Sequence, residues 1–161
     1  MKESCNIAII GAGNNGLTMA AHLSLNGHKV SIWNRTDETI RHLKETKKIN
    51  ISGQIEGTAE LQLVSSDIKE VLSGSKHIFI TQPAHTHREL AIKMSPYLTG
   101  DMLIVLSPGR TFGACEFKNT LLQNGVKQLP DIVETQTIIY TCRKTADDTV
   151  ILLDFKRTVK I

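Results

Sequence analysis

Aromatic residues are scarce in this chain: one Trp, two Tyr and four Phe among 161 residues. Its 19 Lys and Arg are scattered rather than gathered in a stripe. Without stacking platforms or a basic track, nucleic-acid binding is not expected. The three cysteines, Cys5, Cys115 and Cys142, are few, odd in number and far apart. That excludes a disulfide framework and a zinc site, and fits reduced thiols in a cytosol. Cys115 and Cys142 have no base beside them in sequence and read as buried, inert thiols. No apolar run approaches the roughly 18 residues of a membrane span. Met1 to Asn6 lacks the layout of a secretory leader, because the apolar run after it is short and breaks at Gly11. Nor is there a collagen, coiled-coil or low-complexity signature. A cytoplasmic globular protein with no membrane partner is the expectation.

What is present is ordinary in amount: 40% hydrophobic and 22% charged residues. A chain of this size buries enough apolar surface to fold without disulfides. Its net charge of 19 − 16 = +3 argues weakly for anionic ligands. The pattern alternates short apolar runs with helical segments. Ile7 to Ile10 reads as a buried strand, Asn14 to Leu25 as a helix stopped at Asn26-Gly27, and Lys29 to Trp33 as a second strand. Thr36 can cap the next helix, which carries Asp37 and Glu38 in its first turn and runs to about Lys47. Residues 49–60 suggest a small irregular hairpin. Strands follow at 61–64, 77–81 and 102–106, with helices over 67–73, 85–97 and 116–123. From Asp131 onward the chain turns strand-rich, at 132–133, 137–140 and 150–153. Strands alternating with helices imply an α/β fold: a doubly wound parallel sheet, the Rossmann fold, with additional strands at the C-terminal end. Ligands on such sheets lie beyond the carboxyl ends of the strands, at the topological switch point.

Gly11-Ala12-Gly13-Asn14-Asn15-Gly16 matches G-x-G-x-x-G, follows a strand and opens a helix, which is the context the motif needs. Gly11 serves the tight turn, Gly13 lets backbone approach a pyrophosphate, and Gly16 permits close helix–strand packing. The competing reading is a glycine-rich turn without a ligand. At the end of the second strand an NAD site normally carries a carboxylate. Asn34-Arg35-Thr36 stands there instead, and Arg35 can fork onto a 2′-phosphate while Thr36 donates to it. NADP is therefore expected, with NAD the alternative, and the bland reading of Arg35 is a solvated arginine. Gln82-Pro83-Ala84 follows the fourth strand, and His85 and His87 open a helix, where a cation is mildly disfavoured. Ser107-Pro108-Gly109-Arg110-Thr111 follows the fifth, with Arg110 able to bind a carboxylate. Glu134, Thr135, Gln136, Thr137, Tyr140 and Arg143 are polar groups in strand-like sequence. They either pair across strands or line a pocket.

These segments together resemble the NAD(P)-binding domain of the octopine/nopaline (opine) dehydrogenase family. The likeness rests on the 11–16 loop, Ala20-Ala21-His22-Leu23, Trp33-Asn34-Arg35, Pro83-Ala84 with His87, Pro108-Gly109-Arg110-Thr111, Glu134 to Thr137, and Tyr140-Thr141-Cys142-Arg143. It runs along nearly the whole chain. The resemblance implies an oxidoreductase that uses NAD(P)H to condense an amino acid's amino group reductively with a 2-oxo acid. It implies that Gly11, Gly13, Asn14, Asn15 and Gly16 hold the pyrophosphate, that Asn34, Arg35 and Thr36 face the adenine ribose, and that Pro83, Pro108 and Gly109 flank the nicotinamide. The family usually has glycine or a small residue where Asn15 stands, so Asn15 is expected to face away from the phosphate.

The family's catalytic histidine and aspartate lie in a C-terminal helical domain, which is expected beyond residue 161. No catalytic and no metal-binding residue is expected within 1–161, and the lobe alone is expected to bind cofactor without turnover. Apolar residues near 150–161 would then be left exposed, which favours association into a homodimer. Two other readings stay open. One is a 6-phosphogluconate or hydroxyacid dehydrogenase-like oxidoreductase domain, and the other is a stand-alone NADP-binding redox-sensing module.

Overall fold

The computed structural model describes residues 4–161, so Met1 to Glu3 of the segment read for a leader lie outside the described residues. In chain order the elements are β1 (Asn6–Ile10), α1 (Asn14–Leu25), β2 (Lys29–Trp33), α2 (Asp37–Thr46), β3 (Lys48–Gly53), β4 (Gly57–Glu60), β5 (Leu63–Ser65), α3 (Ile68–Leu72), β6 (His77–Ile80), α4 (His87–Met94), β7 (Leu103–Leu106), α5 (Gly113–Gln123), β8 (Asp131–Glu134), β9 (Tyr140–Ala146) and β10 (Thr149–Phe155). Six strands form a wholly parallel sheet in the order β5-β2-β1-β6-β7-β8. Strand order reverses at β1 and β6, the switch point of a doubly wound fold.

β1 is apolar at every position from Ile7 to Ile10 because both faces of the sheet are covered. Successive side chains point opposite ways. Ile7 and Ile9 join a core with Leu17, Met19, Ile32, Ile40 and Leu43. Ala8 and Ile10 join a second core with Val71, Leu90, Met94, Phe117 and Leu121. The sheet is thus a layer between α1 and α2 on one side and α3, α4 and α5 on the other.

A second sheet, ordered β4-β3-β10-β9, covers the far side of α1. β3 pairs parallel with β10, and the other two pairs are antiparallel. Residues 49–60 are therefore a regular hairpin built into a larger sheet, not an isolated irregular one. Ile49, Ile51 and Ala59 turn inward, and β3 finds β10 from about a hundred residues away. Sandwiched between two sheets, α1 buries every residue from Gly16 to Ala21, as a helix without a solvent face must. Three polar contacts join α1 to β9 with matching periods. The Lys144 amide donates to Asn14 Oδ1 at 2.9 Å, Thr18 hydrogen-bonds the Cys142 thiol, and His22 Nδ1 meets the Tyr140 hydroxyl at 3.0 Å. Burial pushes the Tyr140 hydroxyl up to about 12 and raises the Cys142 thiol, so both remain neutral.

Several boundaries differ from the sequence reading. The expected strand over 137–140 begins only at Tyr140 and runs on through polar residues to Ala146. It does so because β9 pairs with β10 across a tight turn. The 85–97 helix is α-helical only over His87–Met94, with a 3-10 turn on either side. α5 starts three residues early, at Gly113, because Glu134 reaches over from β8 to bond its second amide. Thr36 precedes α2 as expected but makes no side-chain cap. Cys115 was expected to be buried and is exposed, since it lies on the outer side of α5 away from Phe117 and Leu121. Cys142 is half-buried. Both glycine stops, Gly27 and Gly125, take the left-handed backbone that ends a helix.

Candidate nucleotide site at the switch point

The carboxyl ends of β1 and β6 meet at the 11–16 loop. Gly11 turns at φ +121, and its amide donates to Trp33 O at 2.8 Å. A side chain there would press on Thr81 Oγ1 and on Gln82. At Gly16 a Cβ would collide with Gly11 O and crowd Thr81 Oγ1 at 2.8 Å. Helix and turn are therefore in backbone contact, and glycine is required. Thr81 braces the turn from β6, its hydroxyl donating to Ile10 O at 3.2 Å. Gly13 differs from both: a Cβ there would meet nothing within 4 Å. Its missing side chain keeps the space in front of α1 open.

That space faces a helix start with no side-chain cap and no acidic residue in its first turn. The amides there are free to meet an anion, reinforced by the helix dipole. The other four α-helices each begin beside a carboxylate. Asp37 and Glu38 open α2, Asp67 caps α3, Glu89 lies in the first turn of α4, and Glu134 accepts from the Ala114 amide of α5 at 2.7 Å.

At the end of β2, Asn34 Oδ1 accepts from the Ala12 amide at 3.4 Å and its Nδ2 donates to Thr36 O at 3.2 Å. Asn34 thus ties the β2 loop to the 11–16 loop. Arg35 and Thr36 are exposed beyond it. Arg35 Nη1 lies 3.8 Å from Glu89 Oε2, with the two side chains 65% and 66% exposed.

On the other side of the switch point is a cleft of about 240 Å3, lined by Asn15, Thr81, Pro83, Ser107, Pro108 and Arg110, among others. The sequence reading placed Pro83, Pro108 and Gly109 at the nicotinamide end; the fold brings Pro83 and Pro108 together with Arg110 in this cleft, whereas Gly109 does not line it. The peptide before Pro108 is cis. Gly109 is buried, and a Cβ on it would run into the Glu134 side chain. Its close approach is therefore to Glu134, the buttress that also caps α5. Arg110 and Phe112 both hold left-handed backbone, and Phe112 is 72% exposed. A larger groove of about 400 Å3 lies at the opposite end of the strands, before β6 and β7, lined by Leu72, Ser73, Lys76, Tyr97 and Met102. There α3 and the segment after α4 end, so carbonyls face outward, and a phosphate is disfavoured.

His85 is exposed, whereas His87 is fully buried. His87 Nε2 lies 3.3 Å from Gln82 O, an acceptor, so Nε2 carries the proton. Nδ1 then presents a lone pair with no partner. Burial is the main cause that holds the His87 imidazolium below its ordinary range, against the pull of Gln82 O, Glu116 and Glu134. His87 is a neutral strut under the Gln82-Pro83 turn. No group of three or more His, Cys, Asp or Glu arranged to hold a metal occurs among the described residues. The sequence reading missed the roles of Glu134 and Glu89, because both act on residues far away in the chain.

The family model for the N-terminus of NAD-dependent glycerol-3-phosphate dehydrogenase matches residues 6–142. An opine dehydrogenase of Arthrobacter sp. (strain 1C) is 35% identical over 144 residues, covering 89% of this chain and 40% of the relative. Octopine dehydrogenase in complex with NADH and agmatine superposes with a TM-score of 0.85 at 18% identity, over 97% of this chain and 41% of that one. Yersinopine dehydrogenase with NADP+ bound gives 0.80 at 14% identity, over 99% and 41%. The chain thus spans about two-fifths of the length of these relatives. At such low identity the two structures bear out the fold alone. The opine dehydrogenase sequence match bears out the resemblance read from the motifs.

Two predictions come from the loop and from His87. Gly16→Ala should destabilise the fold by about 1–3 kcal/mol, as overpacked sites do, whereas Gly13→Ala should leave the urea midpoint nearly unchanged. Equal midpoints would mean that α1 does not bear on the turn. As pH falls through 6.5, the ordinary value for histidine, the unfolded chain takes up a proton at His87 before the folded one does. Stability is then lost on going from pH 7.5 to 5.5. His87→Gln should make that loss shallower, with the remaining slope shared by His22, whose pKa burial also lowers. An unchanged slope would place the depressed group elsewhere.

Proposed function

The chain belongs to the family of NAD-dependent glycerol-3-phosphate dehydrogenase N-terminal domains, and within it we propose that it is the NADP(H)-binding lobe of an opine dehydrogenase. The observation that carries the reading is the start of α1. Among the described α-helices it is the start without a carboxylate, and it stands open at the switch point. The choice of an opine dehydrogenase within the family rests on the 35% identity with that relative.

In this reading the amides of Asn14, Asn15 and Gly16 hold the pyrophosphate, with Gly11 and Gly13 keeping side chains out of its way. Asn34 fixes the β2 loop against the phosphate loop, which leaves Arg35 and Thr36 to meet a 2′-phosphate. Pro83 and Pro108 shape the cleft at the nicotinamide end, with Gly109 behind them making room for Glu134. Arg110, exposed at the same cleft, offers a fork to a substrate carboxylate. The bound cofactor supplies the hydride, and this lobe supplies position and a field suited to anions. The catalytic acid and base are assigned to a helical domain that covers the rim where Phe112 and Ile138 are exposed. The substrates are then an amino acid and a 2-oxo acid, and Leu153 and Ile161, both exposed, favour a homodimer. The reduced cysteines fit a cytoplasmic setting.

Fluorescence titration tests the site. NADPH should bind more tightly than NADH by about 1–3 kcal/mol, the worth of charge-assisted hydrogen bonds. Arg35→Ala should erase most of that gap while sparing NADH, and Gly13→Val should abolish binding of both. Equal affinities in the unmutated chain would reject NADP, and full binding by Gly13→Val would reduce the loop to a turn. A second measurement concerns chemistry. With amino acids plus pyruvate, the chain should oxidise NADPH at the blank rate. Turnover of about 1–1000 per second would return the catalytic role to His85, His87 or Arg110.

A further inference from the structure

The end of β2 lacks the carboxylate that usually receives a ribose hydroxyl, yet a carboxylate from another element lies against Arg35. Glu89, in the first turn of α4, reaches Arg35 from the other wall of the groove. The two form the rim of a narrow cleft that also contains Trp33, Gln82 and Lys93. Lys93, one turn further along α4, sits 5.2 Å from the centroid of the Trp33 ring. Two cations and one carboxylate thus stand together beside the β2 loop, the loop that meets the adenosine ribose of a dinucleotide in a doubly wound fold.

We propose that Glu89 is the residue that sets how strongly this site prefers NADPH to NADH. The inference rests on the dinucleotide site argued above. The Arg35–Glu89 pair is long and well exposed, so it is worth little and opens readily. A 2′-phosphate must draw Arg35 away from Glu89 and then lie near a carboxylate of its own sign. Both effects oppose NADPH. A bare 2′-hydroxyl meets neither penalty, and Glu89 can accept its hydrogen bond. Glu89 therefore does from α4 what an acid at the end of β2 does elsewhere: it keeps NADH competitive at a site whose cations favour NADPH.

Dissociation constants for NADPH and NADH, measured by fluorescence titration of the unmutated chain and of Glu89→Gln, test this. Glu89 is exposed and holds no buried partner, so circular dichroism should show an unchanged fold. Glu89→Gln should tighten NADPH by roughly two- to fivefold, the range an exposed charge pair carries, while NADH is unchanged or weaker. The gain should shrink in 0.5 M salt, since exposed charges are screened. In an Arg35→Ala background it should also shrink, because Glu89 no longer withholds that cation. A ratio of affinities that does not move, or an equal shift for both cofactors, overturns the role of Glu89 and leaves the dinucleotide site standing. Failure of the unmutated chain to bind either cofactor overturns both.

Discussion

The contact between the start of α1 and the turn after β1 is the constraint on which the rest of this structure depends. Gly16 lies so near Gly11 that no side chain fits between them. Their approach fixes the height of α1 above the sheet, and with it the direction of its first amides. Everything around that contact serves to keep it. Thr81 braces the turn from β6, Trp33 O accepts from the Gly11 amide, and Asn34 ties in the β2 loop. The second sheet presses α1 down from above. A helix caught in this way has no freedom to withdraw, so its open end is held in place before any ligand arrives.

Charge is distributed to match. A helix start attracts anions whatever their source, and a protein can satisfy it with its own carboxylates. This chain does so at α2, α3, α4 and α5. The device is clearest at α5, where Glu134 crosses from β8 to the Ala114 amide and Gly109 gives up its side chain to let it pass. The start of α5 is thereby spent internally. At α1 neither an acid nor a cap intervenes, and the attraction is left for an external anion. Selectivity between two similar helix starts on the same edge of the sheet thus comes from a glutamate placed on one of them.

Local features were legible in the sequence and distant ones were not. The strand–loop–helix unit from Ile7 to Leu25 carries its own signature, because turn, helix cap and apolar period all lie within twenty residues. The glycine stops at Gly27 and Gly125 are local too. The second sheet was only half visible. Ile49, Ile51 and Val150, Leu152 announce inward faces, but nothing in either segment says that they pair in parallel across a hundred residues. β9 escaped because its inward groups are Tyr140, Cys142 and Lys144, which meet polar partners on α1 and so break the apolar alternation a strand usually shows. His87 was read as a helix-start histidine with little to orient it. Its burial and its bond to Gln82 depend on α5 and β6 closing around it. At the carboxyl end of β2, reading only the residues that follow finds Asn34 and no acid. The acid arrives from α4, through a contact between residues 54 positions apart.

Neither asparagine side chain of the 11–16 loop caps the start of α1. Asn14 points its carbonyl oxygen at the Lys144 amide, away from the helix end, and so belongs to the seam with β9. Asn15 lines the cleft beyond Thr81 and Pro83. Neither is needed as a cap on α1, so the donors at its start are all backbone. A start made of main-chain amides does not depend on which small polar residue stands at 15, although Asn14 is committed to the Lys144 amide. It is strict only where Cβ atoms would intrude, at Gly11 and Gly16 through the turn and at Gly13 through the space the ligand would fill. The same seam carries a second consequence. Asn14, Thr18 and His22 lie four residues apart on α1 and meet Lys144, Cys142 and Tyr140, two apart on β9. A shift of the second sheet would therefore be felt first at Asn14, the residue that opens the helix. Strands that looked like an appendage in the sequence act as the upper jaw of the vice that holds the open end of α1 in place.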